Sequence, residues 1–387
     1  MTLRNQNILF FSSDDWHSGL KTSKYHIASR LTPANKVLFI NSIGLRRPTI
    51  SAHDGMRILH KLKSWRQGLR EVRRNLFVYT PILLPFHDLK ISQVLNPQIL
   101  SIQIKHVMNK LNMTKNPLIW TFLPNTLGVL KHFPDSKVIY HCVDYMCAFD
   151  GVPSEVIRKM DQNLLRKADL VFTVSNRLYQ LHKQINPKTF YMPHGVDAEL
   201  FSKALRDGIV LPEDLENIPK PIIGCYGLIS RDWIDYKLLS YLANSHPDWS
   251  IVMIGKIDEK MENLPQSKNI YYLGLKLYEE LYKYSRFFDV AIIPFNINQL
   301  TIHSNPLKVL EYLAAGKPVV SVAIPEITKL GDLVKIASNY KEFTSHVEES
   351  LKEDSEELIK KRATYARKHS WEQKLEEIFN IIEQMIG

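Results

Sequence analysis

Residues 289–321 read DVAIIPFNINQLTIHSNPLKVLEYLAAGKPVVS. An apolar run of strand length, a polar loop, an amphipathic segment of helix length and a second apolar run follow in that order, which is the order of a β-α-β unit. The helix is expected from about Pro306 to Ala315, with proline at its first position, where a missing N–H removes no bond. Gly316 closes it as a left-handed cap, and Lys317-Pro318 leads into the next strand. A helix start favours phosphate, because its first amides have no intrahelical partner and its dipole is positive there. The loop before it offers Ser304, Asn305 and backbone amides. Lys308 falls in the first turn, where a cation opposes the dipole unless an anion compensates it. It is therefore either a solvated lysine or a ligand for pyrophosphate. Glu311, one turn on, can meet a pair of sugar hydroxyls.

The same alternation extends outward in both directions. Short runs rich in Ile, Val, Phe and Tyr at 7–11, 36–41, 76–80, 118–123, 138–143 and 170–174 are expected as buried parallel strands joined by helices. A second set follows at 221–226, 250–254, 270–273, 290–294, 318–323 and 333–337. Two Rossmann-like α/β domains result, 1–201 and 221–369. The stretch 202–220, with two prolines, an acidic cluster and no apolar period, is expected as the linker between them. Residues 370–387 form an amphipathic helix with Ser370 as its cap.

The 387 residues are too many for one core, and a composition 45% hydrophobic and 23% charged excludes disordered and collagen-like classes. No apolar run reaches the roughly 18 residues of a membrane span, and none has the form of a signal sequence, so a cytoplasmic location is expected. With three cysteines at least one thiol is unpaired within the chain, and none stands in a C-x-x-C spacing. The net charge of +10 is unevenly placed: residues 1–190 hold 27 Lys and Arg against 11 Asp and Glu, the remainder 23 against 29. The excess gathers in 46–74, at Arg46, Arg47 and a stretch from Arg57 to Arg74 with interleaved Ile58, Leu59, Leu62, Trp65 and Leu69. A basic amphipathic helix is expected there, either packed on the core or laid on the anionic inner face of a membrane. No nucleic-acid motif accompanies the charge.

The motifs at 289–321, together with LVFTVS (170–175), MPHGVD (192–197) and IIGCYG (222–227), resemble those of GT-B fold glycosyltransferases. The likeness is to family 4 and its relatives in bacterial cell-surface polysaccharide synthesis. The resemblance implies an α/β GT-B architecture, two doubly wound domains facing a central cleft. The C-terminal domain would bind a nucleotide diphosphate sugar and the N-terminal domain the acceptor, and the last helix would cross back to the first domain. Glu311 matches the glutamate that holds the ribose hydroxyls. His303 stands where the family has a second glutamate near the donor sugar. The family's phosphate-clamping arginine and lysine are replaced by Leu228 and Asp232, which leaves Arg231 and Lys308 as the available cations. Gly227 would line the diphosphate, and the base would rest against Gly274, Leu275 and Tyr278. Tyr226–Ile229 with Trp233 and Asp235 resembles a subgroup of envelope-polysaccharide transferases.

For the chemistry, Asp144 is the candidate general base: it ends a strand at the carboxyl edge, where α/β sheets place ligands, and YHCVD resembles the strand ending in the catalytic aspartate of inverting relatives. His141 is either a catalytic histidine of the cleft or a packed, hydrogen-bonded core residue. Asp14, Asp15, His17 and Gly19, after the first strand, are candidate acceptor contacts. No Asp-x-Asp pair accompanies a donor-site strand, so neither a metal nor any other cofactor is expected. The function implied is transfer of a sugar to an envelope polysaccharide or lipid-linked saccharide. The alternatives are a GT-B-shaped epimerase and a non-catalytic basic scaffold on a membrane. A dinucleotide dehydrogenase is disfavoured, because no G-x-G-x-x-G follows a strand.

Overall fold

The computed structural model describes residues 3–43, 68–84 and 90–386. The chain divides into two compact units, residues 1–192 with 375–387, and residues 193–374.

The first unit is built on an eight-stranded sheet. Its strands are β1 (Asn7–Phe11), β2 (Lys36–Ile40), β3 (Leu69–Arg73), β4 (Leu76–Tyr79), β5 (Leu118–Thr121), β6 (Val138–Cys142), β7 (Leu170–Thr173) and β8 (Thr189–Tyr191). Their spatial order is β3-β4-β2-β1-β5-β6-β7-β8, parallel throughout except for the β3–β4 hairpin. The second unit holds β9 (Ile222–Tyr226), β10 (Ser250–Ile254), β11 (Ile270–Gly274), β12 (Val290–Ile293), β13 (Val319–Val322) and β14 (Lys335–Ala337). All are parallel, in the order β11-β10-β9-β12-β13-β14. In both sheets the winding reverses beside the first strand, between β1 and β5 and between β9 and β12. Such switch points open a crevice at the carboxyl ends of the strands. Strands covered on both faces must be apolar along their whole length. β9, β10, β12, β5 and β7 are buried at every residue, whereas the edge strand β11 is only half-buried beyond Ile270.

The expected strands all appear, within two residues at each end. Two were not foreseen. β8 has only three residues and no pattern of its own. β3 lies inside the stretch expected as a basic helix. Leu69-Arg-Glu-Val-Arg73 pairs antiparallel with β4 around a two-residue turn, Arg74-Asn75, in which Asn75 adopts φ +63°. Asparagine tolerates that conformation, so the turn favours a hairpin over a continued helix. Arg46, Arg47 and 57–67 lie outside the described residues. The expected linker 202–220 instead belongs to the second unit, with Leu215 in its core and the Tyr284 hydroxyl donating to Asp214 at 3.1 Å. Isolated anchors such as these leave no periodic trace in a sequence. Among the described residues no helix is long and apolar enough to cross a membrane.

Candidate functional site

In the second unit, β9 ends at Tyr226 and Gly227 follows with φ +131°. A Cβ on residue 227 would lie 2.5 Å from Lys308 Nζ, so the ammonium rests against the strand end only because glycine is there. Lys308 stands in the first turn of the helix Leu307–Ala314, its Nζ 4.8 Å from the Phe295 ring centroid. Among the described residues no carboxylate pairs with it. Pro306 is the residue before this helix rather than its first, with ψ 113°. Gly316, at φ +73°, makes the expected left-handed close.

Glu311 is 6% exposed. Burial pushes its carboxyl up to about 7, against the opposing pull of the Tyr278 and Tyr226 hydroxyls and of Lys308. A carboxyl raised on folding stabilises the fold below its unfolded pKa and loses that contribution as pH rises through the folded value. Relative to Glu311→Gln, the native protein is therefore expected to lose about 3 kcal/mol of stability between pH 5 and pH 8.5. Denaturant unfolding of both proteins across that range checks this; a difference independent of pH would contradict it.

A row of glycines supports the crevice. Gly227 N–H donates to the Ile254 carbonyl and Gly255 N–H to the Gly274 carbonyl, both at 2.8 Å, so the ends of β9, β10 and β11 are tied together. Gly255 has φ +145°, and a Cβ there would lie 1.7 Å from the Gly227 carbonyl oxygen. Gly255→Ala is expected to destabilise the protein by about 2–4 kcal/mol through backbone displacement, read as a lowered denaturation midpoint. A midpoint equal to that of the native protein would refute the contact. Beside this row, Gly274 turns at φ +67°, Tyr278 is buried and Leu275 is 46% exposed.

The loop preceding the Lys308 helix is ordered by Asn298, whose side-chain oxygen accepts from the amides of Leu300 at 2.9 Å and Thr301 at 3.0 Å while its amide donates to the Asp232 carbonyl. His303 and Ser304 are both buried. His303 Nδ1 lies 2.7 Å from the Gln299 carbonyl, and the Ser304 hydroxyl donates to the Thr301 carbonyl. Arg231 does not face a vacant anion position as the sequence suggests. Its guanidinium grips Glu259 through two bonds of 3.1 Å, and the Glu259 carboxylate accepts the Arg231 amide as well.

In the first unit, the turn after β1 carries Asp14 to Lys24, which opens the helix Ser23–Leu31. Lys24 is 5% exposed. Its Nζ lies 3.3 Å from Asp14 Oδ2, which also accepts from the Thr22 hydroxyl at 2.6 Å. Burial disfavours the ammonium, but Asp14 and Asp144 outweigh it and hold its pKa above the ordinary lysine range. Asp144 follows β6, and burial raises its carboxyl while Lys24 pulls it down. The result is a buried cation paired with Asp14 and within electrostatic reach of Asp144, at the carboxyl ends of β1 and β6. Asp15 accepts from the Ser42 amide, Gly19 turns at φ +81°, and His17 is exposed, its pKa lowered by partial burial and by Lys21 and Arg70.

His141 is enclosed. Its ring stacks on Phe122 at 5.0 Å and Trp120 at 6.1 Å and lies against Phe172, and neither nitrogen has a hydrogen-bond partner. Burial, aided by Lys24, lowers its pKa to about 3. It is a neutral core residue rather than a catalytic histidine, and it is not the hydrogen-bonded one that the sequence suggests.

Residues 220–353 match the family described as Glycosyl transferases group 1. The match lies within the C-terminal unit and covers about a third of the chain. Over 233 residues the chain is 26% identical to the "Putative teichuronic acid biosynthesis glycosyltransferase TuaH" of Bacillus subtilis (strain 168); the match covers 55% of this chain and 57% of that protein, little over half its length. In fold, the chain superposes on HepE of Anabaena in complex with UDP and glucose with a TM-score of 0.67, at 14% identity over 98% of this chain and 100% of that one. Sucrose-phosphate synthase from Thermosynechococcus elongatus gives 0.68, also at 14% identity, over 98% and 99%. The architecture is GT-B, as the sequence motifs imply.

Within the C-terminal unit the structure brings Gly227 to Lys308 and Tyr278 to the surroundings of Glu311, and buries His303 and Ser304 in the loop that leads to them. It diverts Arg231 to Glu259. Sequence reasoning missed Gly255, Asn298 and Glu259, none of which stands in a recognisable motif. It also missed Lys24 in the other unit, since a lysine near a helix start is ordinarily exposed.

Proposed function

We propose that the protein moves a sugar from a nucleotide diphosphate sugar to a cell-envelope polysaccharide or lipid-linked saccharide. The observation that carries this reading is the Lys308 ammonium resting against Gly227, with no carboxylate partner among the described residues, one turn from the buried Glu311. Glu311 takes the ribose hydroxyls, and Lys308 with the first turn of its helix takes the diphosphate. The base lies along Gly274, Leu275 and Tyr278, and His303, Ser304 and Asn305 face the sugar. As the bond from the anomeric carbon to the diphosphate breaks, negative charge gathers on the leaving oxygen, and a cation fixed beforehand stabilises it. With that charge supplied by Lys308, turnover needs neither Mg2+ nor Mn2+, and equal rates with and without them are the check. In the N-terminal unit, Asp144 accepts the proton of the acceptor hydroxyl, the Lys24 charge favours its ionised form, and Asp14, Asp15, His17 and Gly19 contact the acceptor.

Thermal-shift screening against nucleotide diphosphates and nucleotide sugars tests the reading. The uridine nucleotide and glucose in the HepE complexes make UDP-glucose the first donor to try. A stabilisation that Glu311→Ala abolishes supports the proposal, and no response to any nucleotide sugar refutes it. A lipid-linked acceptor and the basic excess of residues 1–190 both favour a peripheral site on the cytoplasmic face of the inner membrane. The protein is expected to co-sediment with vesicles containing anionic lipid and to be released at high salt; equal sedimentation with neutral vesicles would contradict this.

A further inference from the structure

Cys142 at the end of β6, Asp161 in the helix Ser154–Lys167 and His182 in the helix Asn176–Lys183 each offer one ligand atom, and the three atoms lie within 4.8 Å of one another. Cys142 and His182 are 2% and 4% exposed. A cavity opens on the cluster, walled also by Tyr140, Asp144, Tyr145 and Cys147. From these contacts we infer that this trio is a structural site for a divalent transition metal, zinc above all, independent of the donor site in the other unit.

The separation of the ring and the carboxylate is the first argument. His182 Nε2 stands 3.4 Å from Asp161 Oδ2, longer than an ordinary N–H···O bond. It is the edge of a tetrahedron whose centre lies about 2.0–2.1 Å from nitrogen and oxygen, the distances zinc takes. The ligating nitrogen would be Nε2, since the ring's other nitrogen, Nδ1, points away from Asp161 and has no hydrogen-bond partner. Asp161 Oδ1 is already fixed by the Tyr140 hydroxyl at 2.6 Å, the kind of outer bond that orients a ligating carboxylate. The Cys142 thiol donates to the Asp144 carbonyl at 3.4 Å and lies beside the Tyr140 hydroxyl, and burial holds its pKa well above the usual thiol value.

Thiolate, imidazole and carboxylate together suit zinc, with the fourth position facing the cavity. Binding releases the thiol proton to solvent and forms a metal–sulfur bond in its place, with no change of oxidation state. A metal here ties the end of β6 to two helices of the same unit and fixes the strand end from which Asp144 projects.

The full-length protein, stripped with chelator and dialysed against Zn2+ alone, is expected to retain one zinc per chain. Cys142→Ser and His182→Gln weaken retention by more than about 100-fold, whereas Cys225→Ser, in the other unit, leaves it unchanged. Co2+ serves as the spectroscopic probe: the native protein shows a thiolate-to-cobalt charge-transfer band that Cys142→Ser lacks. Should the variants fail to fold, the band in the native protein still decides the matter. No stoichiometric zinc, zinc held equally by Cys142→Ser, or cobalt bound without the thiolate band overturns the site.

Discussion

Lys308→Met lowers the affinity for a nucleotide diphosphate sugar about 100-fold, close to 3 kcal/mol, and leaves the fold intact. Methionine keeps an unbranched stem and removes the charge that lies beside Gly227 and over the Phe295 ring. The loss is large because nothing else takes over. Leu228 carries no charge, and Arg231 is held at both ends of its guanidinium by Glu259. Freeing that arginine by Glu259→Gln in the Lys308→Met background restores part of the affinity if it swings to the phosphates. Isothermal titration with UDP-glucose measures both effects. An affinity within twofold of the native value in Lys308→Met would place the diphosphate elsewhere.

Asp144→Asn is expected to lower kcat by roughly 10²–10⁴-fold while leaving KM for the donor within a factor of two, because the asparagine fills the same space without accepting a proton. The proposed donor ligands all belong to the C-terminal unit, which is why KM is expected to be spared. Lys24→Met is expected to lower kcat less, since it removes the nearby charge that favours the ionised carboxylate and not the carboxylate itself. A rate unchanged in Asp144→Asn would assign proton transfer to another group and leave Asp144 as a structural partner of Lys24.

Twelve of the fourteen described strands were legible, the central ones because residues buried on two faces must be continuously apolar, a signal that survives without alignment; the exposed edge strand β3 and the three-residue β8 carry no such signal. The order of elements in the run 289–321 was legible too, to within a residue at the helix start, because a strand, a loop and a capped helix leave a fixed order of residue types. What escaped the sequence is tertiary. The pairing of Arg231 with Glu259 joins residues 28 apart in the chain, and nothing local distinguishes a clamped arginine from a free one. The enclosure of His141 depends on three aromatic rings from β5, β7 and Phe122. The Lys24 cluster joins the turn after β1 to the end of β6 across the intervening β5. A hairpin replaced part of the expected basic helix because an asparagine with positive φ sets the turn, and charge counting cannot see that.

The most direct measurement is a crystal structure of the protein with a bound nucleotide diphosphate sugar. A diphosphate oxygen about 2.7–2.9 Å from Lys308 Nζ, with both ribose hydroxyls on Glu311, is the result predicted here. A nucleotide bound away from Gly227, with Lys308 untouched, would contradict it.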